Sequence, residues 1–340
     1  MTGALSGLGR SGPPALAASL DAVAGLPAPE ALARLVAVGA LDVPFPAKGE
    51  TGARFAALEQ LGRFELSLAR LAEGHLDALA ILDEGGHEPP EGLLGVWAAG
   101  PVDTLRARRS ATGWRLDGLR RWCSGAPDLT HALVRAATDS DERLFLVPLG
   151  SEGFAPVEGS WPAIGMAESA TLDVQFDGVL LDRDAEVGPA GFYLERPGFW
   201  CGGAGVAAVW LGGAQAVAAL LARRAGDDPH RLAHLGWVTA RVAVLEAFLH
   251  SVADRIDAAD PSPVAIERLA RILRAEVAEA AAGILERTGR ATGAGPLSHD
   301  RDHARRVVDL ELYIRQSHAE ADLEAIGRLE LALAARSSAR

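Results

Sequence analysis

The sequence has few cysteines and little positive charge, and each shortage excludes a class of protein. Two cysteines among 340 residues, Cys123 and Cys201, are too few for a disulfide framework or a four-cysteine zinc site. This usage is typical of a reducing compartment, and we predict a cytoplasmic protein. Because the formal net charge is −12, no basic surface is expected to bind the phosphates of a nucleic acid or an anionic membrane, and we predict neither as a partner.

Signals for a membrane span and for a targeting segment are weak. The most apolar stretch, residues 206–222, is close to membrane length, but its alanines, its glycines and Gln215 favour a buried helix. The N-terminus, MTGALSGLGRSGPP, has one arginine and no compact apolar segment before its prolines, so we predict no signal peptide. The hydrophobic content of 49% is enough for a large core and two or three structural units.

Helical spacing of apolar residues dominates both ends of the chain. Residues 15–36 and 53–83 have this spacing, which predicts an N-terminal helical domain over residues 1–90. The second half predicts a four-helix bundle over residues 191–340, and its wide alanine-rich faces favour a partner subunit. The predicted bundle helices are at about 204–225, 230–258, 263–289 and 302–334.

The middle of the chain, residues 91–190, has the pattern of a small antiparallel β domain. Short apolar runs bounded by glycine, proline and aspartate are typical of strands. These runs are VWAA, DTLRARR, WRLDG, RRWCS, HALVRAA, RLFLVPL, FAPVE and TLDVQFDGVLL. The predicted fold class is therefore mixed α and β, and mostly α.

One stretch of this β domain, residues 114–124 (WRLDGLRRWCS), predicts a ligand site. Asp117 and Gly118 form a tight-turn dipeptide between two alternating runs, which predicts a β-hairpin. Alternation in its second strand places Trp122 and Ser124 on one face and the intervening cysteine on the other. We therefore predict that an indole and a hydroxyl together face the ligand.

Three other patterns are better explained by structure than by function. The small residues of 203–208 resemble a dinucleotide-binding motif, but no hydrophobic strand precedes them, so we predict close helix packing. His230 and His234 have the spacing of a zinc helix, but Arg231 replaces the general base and no third ligand is evident, so we predict no metal site. His75 lies on an apolar helix face, where a histidine is usually a hydrogen-bonded core residue.

The order of these domains and four sequence passages resemble the acyl-CoA dehydrogenase family of flavoproteins over residues 33–331. The passages are similar, in turn, to a helix of the N-terminal domain, to the strand with the family's Trp-x-Thr/Ser, to the end of the β domain and to the first helix of the bundle. They read LSLARLAEGHLDALAI, WRLDGLRRWCSGAPDLTHALVRA, WPAIGMAESATLDVQFDGVLL and AAVWLGGAQAVAALLARRA.

The resemblance implies a bound FAD. Trp122 is expected against the flavin ring, and Ser124 is expected to form a hydrogen bond with its reactive edge. In GVWAAG, Trp97 and Ala99 occupy the place where the family contacts the pyrimidine side of the ring. Ala98 and Ala99 replace polar residues there, which leaves backbone N–H groups to stabilise negative charge.

The resemblance also implies a phosphate contact and a catalytic base in the second half of the chain. RATGAGPL is similar to the family's Gln-x-x-Gly-Gly loop, so Arg290 and Gly293 are expected to meet the pyrophosphate. One family position for the base falls near Gly202, which has no carboxylate, and the other falls one residue from Glu311. An alternative is that Glu311 pairs with Arg315, four residues later, on a solvated helix face.

The implied reaction is the α,β-dehydrogenation of an acyl thioester by a homodimeric or homotetrameric enzyme. Glu311 would remove the α-proton, and a flavoprotein or oxygen would accept the electrons. Two alternatives stay open. A flavin-dependent monooxygenase on the same fold needs no such base, and a non-catalytic helical assembly protein needs no flavin.

Overall fold

The computed structural model describes residues 14–260 and 262–338. The prediction that there is no signal peptide concerns the N-terminal residues before these, so it lies outside the described residues. The helices are α1 (Pro14–Ala22), α2 (Ala28–Ala37), α3 (Thr51–Phe64), α4 (Leu66–Gly85), α5 (Phe192–Glu195), α6 (Phe199–Arg224), α7 (Pro229–Ile256), α8 (Pro263–Thr292), α9 (Gly295–His299), α10 (Arg301–Tyr313) and α11 (Glu320–Ser338). The strands are β1 (Leu94–Trp97), β2 (Leu105–Arg109), β3 (Gly113–Cys123), β4 (His131–Ala137), β5 (Glu142–Pro148), β6 (Phe154–Val157), β7 (Leu172–Asp182) and β8 (Glu186–Val187).

These elements confirm the predicted fold class. Helices precede and follow one eight-stranded sheet, in which the order β6-β7-β3-β2-β4-β5-β8 forms the main path and β1 pairs with β4. Most neighbouring strands are antiparallel. The pairings of β4 with β1 and with β2 are parallel, so the sheet is not antiparallel throughout.

Contacts between Cα atoms group the chain into two compact units. The helical unit contains the described residues up to Ala18, Val43–Ala69 and the chain from Trp200 onward. The sheet unit contains Ser19–Asp42 and Arg70–Phe199. The predicted bounds 1–90, 91–190 and 191–340 follow the change of secondary structure and stay a prediction.

Two predicted helices are interrupted. Residues 15–36 form α1 and α2, because Gly25 has a left-handed backbone with φ of 82° and Pro27 precedes α2. The last predicted helix, 302–334, is divided into α10 and α11 by a short 3-10 turn at Ile314–Gln316 and by Ala319, whose φ is 45°. Residues 53–83, predicted as a pair of helices, form α3 and α4. The other predicted segments agree with the helices within a few residues, and the short α5 and α9 were not predicted.

Small residues let α3 and α6 approach closely within the helical unit. A Cβ atom at Gly212 would lie 2.0 Å from the carbonyl oxygen of Glu59, and one at Gly62 would lie 2.2 Å from that of Val209. The predicted packing role of the small residues 203–208 is confirmed, since they lie in α6 and Gly205 faces the Leu58 side chain. Because the backbones are so close, side chains larger than that of glycine are excluded at Gly62 and Gly212.

Helices α6 and α7 are long and apolar enough to cross a membrane by length and composition alone. The apolar window of α6 is 83% buried within the protein, as expected for the core helix of a globular unit. The corresponding window of α7 is 28% buried, and Leu232 and Val244 on that helix are exposed.

The core of the sheet unit forms where α4 covers the sheet. Leucine, isoleucine, alanine and valine side chains with at most 1% exposure pack together there and exclude water. This core consists of Ala78, Ile81 and Leu82 from α4 and Leu94, Leu133, Leu144 and Val187 from the strands.

The predicted hairpin at residues 114–124 is wrong, because these residues lie in and directly after the single strand β3. Gly118 has φ of 127°, and a Cβ atom on it would lie 2.2 Å from the carbonyl oxygen of Thr104, so this glycine permits close approach to the chain before β2 rather than a turn. The strand continues through Asp117 and pairs with β7 along its length, with Gly178 as the extra residue of a β-bulge.

Candidate functional site

The end of β3 contains a second β-bulge, and it changes the direction of Trp122. Arg120 pairs with Val174 and Cys123 pairs with Leu172, so β3 has one extra residue at this point. Trp122 has φ of 59°, which is uncommon for a bulky residue and is found mainly where the surrounding structure imposes it. Its side chain is 49% exposed.

The bulge also corrects the predicted alternation of residues 122–124. Cys123 is fully buried, and Ser124 is 7% exposed rather than sharing the exposure of Trp122. The indole of Trp122 lies against the loop after β1, where a Cβ atom on Gly100 would be 2.6 Å from the ring. Because Gly100 has no side chain, the ring can cover this loop.

Trp97, at the end of β1, supports Ser124 from inside the sheet unit. It is 1% exposed, and its indole Nε1 donates to the carbonyl oxygen of Ser124 at 3.0 Å. Its ring stacks on Phe154 with 6.1 Å between ring centroids and 12° between planes. The structure therefore brings Trp97, Trp122 and Ser124 together, with Trp97 underneath and only Trp122 open to solvent.

The loop after β1 is held by Arg120, a residue that the sequence reasoning missed. Arg120 is fully buried and donates to three carbonyl oxygens: from Nε to Trp97 at 3.0 Å, from Nη1 to Pro101 at 3.0 Å and from Nη2 to Ala99 at 2.5 Å. Burial lowers the pKa of this guanidinium from its usual value. Because a guanidinium is planar, its donors form a fixed fork, and three carbonyl oxygens accept from that fork here.

Arg120 and a second arginine fix the direction of the backbone N–H groups in this loop. The carbonyl oxygen of Ala98 accepts from Nη1 of Arg135 at 3.1 Å. In a trans peptide the N–H points away from the preceding carbonyl oxygen, so the N–H groups of Ala99 and Gly100 point away from the two guanidiniums. Both residues are exposed.

Two hydroxyl groups lie behind Ser124. Its Oγ is 2.9 Å from Oγ1 of Thr171, which is 2.8 Å from Oγ of Ser169. The Ser169 hydroxyl donates to the carbonyl oxygen of Met166 at 2.7 Å. Sequence reasoning noted this Ser/Thr segment only as part of a family passage, and the signal for its role is the alternation of small hydroxyl residues just before β7.

The other predicted site residues belong to the helical unit. Arg290 is exposed near the end of α8 and forms an ion pair with Glu286. Gly293 is exposed and has φ of 71°, as expected for a glycine that ends a helix. Glu311 is exposed on α10 and forms an ion pair with Arg315, as the alternative interpretation predicts.

The helical unit also contains a polar cavity of about 400 Å³. Gln215 lines it and connects it to a buried carboxyl group, because Gln215 Nε2 donates to Oε1 of Glu246 at 2.7 Å. Arg63 Nε donates to Oε1 of the same Gln215 at 3.0 Å. Burial, and then the nearby carboxylate of Glu59, raise the pKa of Glu246 to about 7.

The Glu246→Gln substitution is expected to remove a pH dependence of stability. Folded Glu246 keeps its proton up to about pH 7, whereas the unfolded chain releases it near pH 4.5. Its stabilising contribution is therefore present below pH 4.5 and is lost as pH rises through 7. We therefore expect the free energy of unfolding of the variant, minus that of the wild type, to increase by roughly 2 kcal/mol from pH 5 to pH 8. Urea unfolding at the two pH values measures this difference.

The matched control for this experiment is Glu324→Gln, because Glu324 is exposed and pairs only with Arg328 in its own helix. Its stability relative to the wild type is expected to change little between the same two pH values. A Glu246→Gln variant with the pH profile of the wild type would contradict the raised pKa.

Several candidate groups have structural roles. His75 accepts the backbone N–H of Leu94 at 3.2 Å through Nδ1, and burial lowers its pKa to about 4, so it is neutral in the folded protein. Burial raises the pKa of the Cys123 thiol, which disfavours the reactive thiolate. Within residues 14–260 and 262–338, no group of three His, Cys, Asp or Glu is arranged to hold a metal ion.

Comparison with solved structures identifies the architecture. FMN-bound TdsC from Paenibacillus sp. A11-2, a dibenzothiophene monooxygenase, has a TM-score of 0.80 at 18% identity, over 93% of this chain and 95% of that chain. KijD3 in complex with dTDP has a TM-score of 0.79 at 22% identity, over the same shares. The chain has the acyl-CoA dehydrogenase-like fold.

A third structure of this fold is the nitrososynthase from Micromonospora carbonacea var. africana, with a TM-score of 0.76 at 19% identity over 95% of each chain. No protein-family model matches the sequence, and no curated protein is significantly similar to it. The acyl-CoA dehydrogenase-like fold is therefore established by three-dimensional similarity.

Proposed function

We propose that the protein is a flavin-dependent oxidoreductase whose sheet unit binds the flavin ring. The main support for this proposal is the arrangement at the end of β3. The half-exposed indole of Trp122 and the buried hydroxyl of Ser124 lie there beside the outward N–H groups of Ala99 and Gly100. The acyl-CoA dehydrogenase-like fold and the flavin named for two structural neighbours support the proposal.

The residues present fit a flavin. The strained backbone of Trp122 presents a flat apolar surface, which suits a planar ring. The N–H groups of Ala99 and Gly100 suit the oxygen atoms of the pyrimidine ring, and neither residue has a side chain beyond Cβ. We assign Trp97 a positioning role, because it contacts Ser124 from the buried side.

A bound flavin would accept hydride or activate oxygen, and this chain would supply its orientation and its electrostatic environment. Trp122 would hold the ring against the sheet unit, and Ser124 would accept or donate one hydrogen bond at its reactive edge. Arg120 would keep the loop N–H groups directed outward through the carbonyl oxygens that it binds. The contact of Arg290 and Gly293 with a cofactor phosphate stays a prediction of the sequence resemblance.

Oxygen activation by a monooxygenase needs no catalytic base. It therefore agrees best with the helical unit, in which neither family position for a base has a suitable carboxylate. Glu311 is 52% exposed in its side chain and is neutralised by Arg315, and Gly202 stands at the other family position for a base. A carboxylate that is exposed to water and paired with an arginine is poorly placed to remove a proton from carbon, because water and the cation both stabilise its charged form. A monooxygenase does not require that step.

The second candidate is the α,β-dehydrogenation of an acyl thioester, which the sequence resemblance favours. Glu311 lies one residue from the family position and would remove the α-proton, while the β-hydrogen leaves as hydride. The electron acceptor would be a flavoprotein or oxygen.

Anaerobic and aerobic absorption measurements on the flavin-loaded protein separate the two candidates. The monooxygenase predicts that a panel of acyl-CoA thioesters leaves the flavin bands unchanged without oxygen, and that chemically reduced flavin is reoxidised rapidly when oxygen is added. The dehydrogenase predicts bleaching by a thioester and loss of this bleaching in Glu311→Gln. Thioester bleaching of the wild type would overturn the monooxygenase assignment.

The Trp122→Ala substitution is expected to weaken flavin binding about fivefold, since one ring-on-ring contact contributes roughly 1 kcal/mol. The measurement is a titration of the apoprotein with flavin, in which binding is detected as quenching of the flavin fluorescence. Trp122→Phe keeps an aromatic ring and should retain most of the affinity. Equal dissociation constants for the wild type and Trp122→Ala would remove the stacking role.

The sequence resemblance favours FAD, whereas two structural neighbours, TdsC and KijD3, contain FMN. Both cofactors contain the same ring, so the face near Trp122 suits either one. We retain FAD because Arg290 and Gly293 provide a predicted site for its pyrophosphate. Release by heat followed by mass spectrometry identifies the cofactor, and FMN alone would overturn this choice.

We propose a homodimer or homotetramer in the cytoplasm. The exposed apolar residues Leu232 (45%) and Val244 (64%) on α7 support a subunit contact. The two buried cysteines form no disulfide, which agrees with a reducing compartment. Light scattering at micromolar concentration tests the oligomeric state, and a monomer would contradict it.

A further inference from the structure

The three hydroxyl groups behind the end of β3 form a chain whose direction can be deduced. Ser124, Thr171 and Ser169 are each at most 9% exposed, and successive oxygen atoms are 2.9 and 2.8 Å apart. The chain ends at the carbonyl oxygen of Met166, 2.7 Å from the Ser169 Oγ. We name these three residues the hydroxyl chain.

Each hydroxyl has one proton, so one fixed donor determines the others. The Met166 carbonyl oxygen has no proton, and a contact of 2.7 Å therefore requires the proton of Ser169. Ser169 must then accept from Thr171. Since the only Thr171 hydroxyl proton is used in this way, Thr171 must accept from Ser124, and the Ser124 proton points inward.

The backbone holds the hydroxyl chain in this arrangement. The N–H of Gly125 donates to the carbonyl oxygen of Ser169 at 2.8 Å, which connects the end of β3 to the segment before β7. Met166 and Ala170 both have left-handed backbones, with φ of 56° and 41°, so this segment is tightly curved around Ser169. Trp97 holds the Ser124 carbonyl oxygen on the other side.

We propose that Thr171 is a positioning residue that keeps the Ser124 hydroxyl as a hydrogen-bond acceptor toward the flavin and so favours the reduced cofactor. This inference rests on the proposed function. The ring nitrogen N5 of an oxidised flavin has a lone pair and no proton, whereas in a two-electron-reduced flavin it has a proton. An acceptor at Ser124 therefore matches the reduced form, and a donor would match the oxidised form.

The Thr171→Val substitution tests this polarity. Valine keeps the shape of threonine and removes the acceptor, so the Ser124 proton becomes free to turn toward the flavin. We expect the ratio of reduced to oxidised flavin at a fixed potential to fall about tenfold, a shift of about 30 mV to lower potential for a two-electron couple. The measurement is a potentiometric titration of the flavin-loaded protein against a reference dye, in which visible absorption reports the reduced fraction of the flavin.

Three further variants distinguish an effect of the hydroxyl chain on the flavin potential from an effect of general destabilisation of the protein. Thr171→Ser keeps the chain and should retain the potential of the wild type. Ser169→Ala removes the acceptor of Thr171, so its proton can turn toward Ser124, and we expect a shift in the same direction as for Thr171→Val. Thr130→Val is the matched control, because the Thr130 hydroxyl is exposed and donates to Leu93 outside the hydroxyl chain.

The outcomes distinguish this inference from the proposed function. A wild-type protein that binds no flavin overturns both. If flavin binds and the potential of Thr171→Val is unchanged or higher, the inference is overturned and the proposed function stands. If Thr171→Val does not fold or bind flavin, Ser169→Ala provides the same test, and an unchanged potential there overturns the inference.

Discussion

We expect Arg120→Met to lower the free energy of unfolding by about 4 kcal/mol and to abolish flavin binding. Methionine fills much of the same volume but donates no hydrogen bonds, so the carbonyl oxygens of Trp97, Ala99 and Pro101 lose their common donor. The buried carbonyl group of Trp97 is left without this donor, which costs free energy, and the loop then loses the contacts that direct its N–H groups outward. Urea unfolding and flavin titration measure the two effects.

Two controls make this result specific to the guanidinium fork. Arg120→Lys retains the charge, but one ammonium group cannot reproduce the planar set of three contacts, so we expect a large loss of flavin affinity there as well. Arg108→Met changes an exposed arginine of β2 and should alter stability by less than about 0.5 kcal/mol. Normal flavin binding by Arg120→Met would refute the role of Arg120 in positioning the loop.

The second large effect is expected at the contact between α3 and α6. A Gly212→Ala substitution would place a Cβ atom 2.0 Å from the carbonyl oxygen of Glu59, which is backbone and cannot rotate away. The helices must separate, and we expect a loss of more than about 3 kcal/mol in urea unfolding. The same argument applies to Gly62, where the corresponding distance to Val209 is 2.2 Å.

Gly236→Ala is the matched control for this helix contact. Gly236 lies inside α7, and a Cβ atom there would have no neighbour within 4 Å. Because alanine has a better helix propensity than glycine, we expect this variant to be more stable by about 0.5 to 1 kcal/mol. Equal stabilities of the Gly212 and Gly236 variants would show that α3 and α6 are not packed at the distance described.

Periodicity predicted the helices well, because most of them bury one continuous apolar face. The interruption at Gly25 and Pro27 was missed, although both residue types are frequent helix terminators. Strand positions were also predicted from short apolar runs. The hairpin predicted at Asp117 and Gly118 is wrong, because the same glycine that permits a turn also permits close approach of a neighbouring strand.

The candidate site was harder to predict, since its geometry depends on tertiary contacts. Strict alternation paired Trp122 with Ser124, but the β-bulge adds a residue and turns the indole outward. Arg120 looked like one of several strand arginines, and nothing in its sequence neighbours shows that three carbonyl oxygens surround it. The direction of the hydroxyl chain likewise follows from distances between oxygen atoms that are distant in sequence.

The measurement that tests the central claim most directly is the visible absorption spectrum of the purified protein, before and after incubation with flavin and removal of the excess. The account predicts flavin bands between about 350 and 500 nm in a one-to-one complex, as expected for a flavoprotein. A colourless protein that retains neither FMN nor FAD would contradict it, and the fold would then serve a non-catalytic assembly.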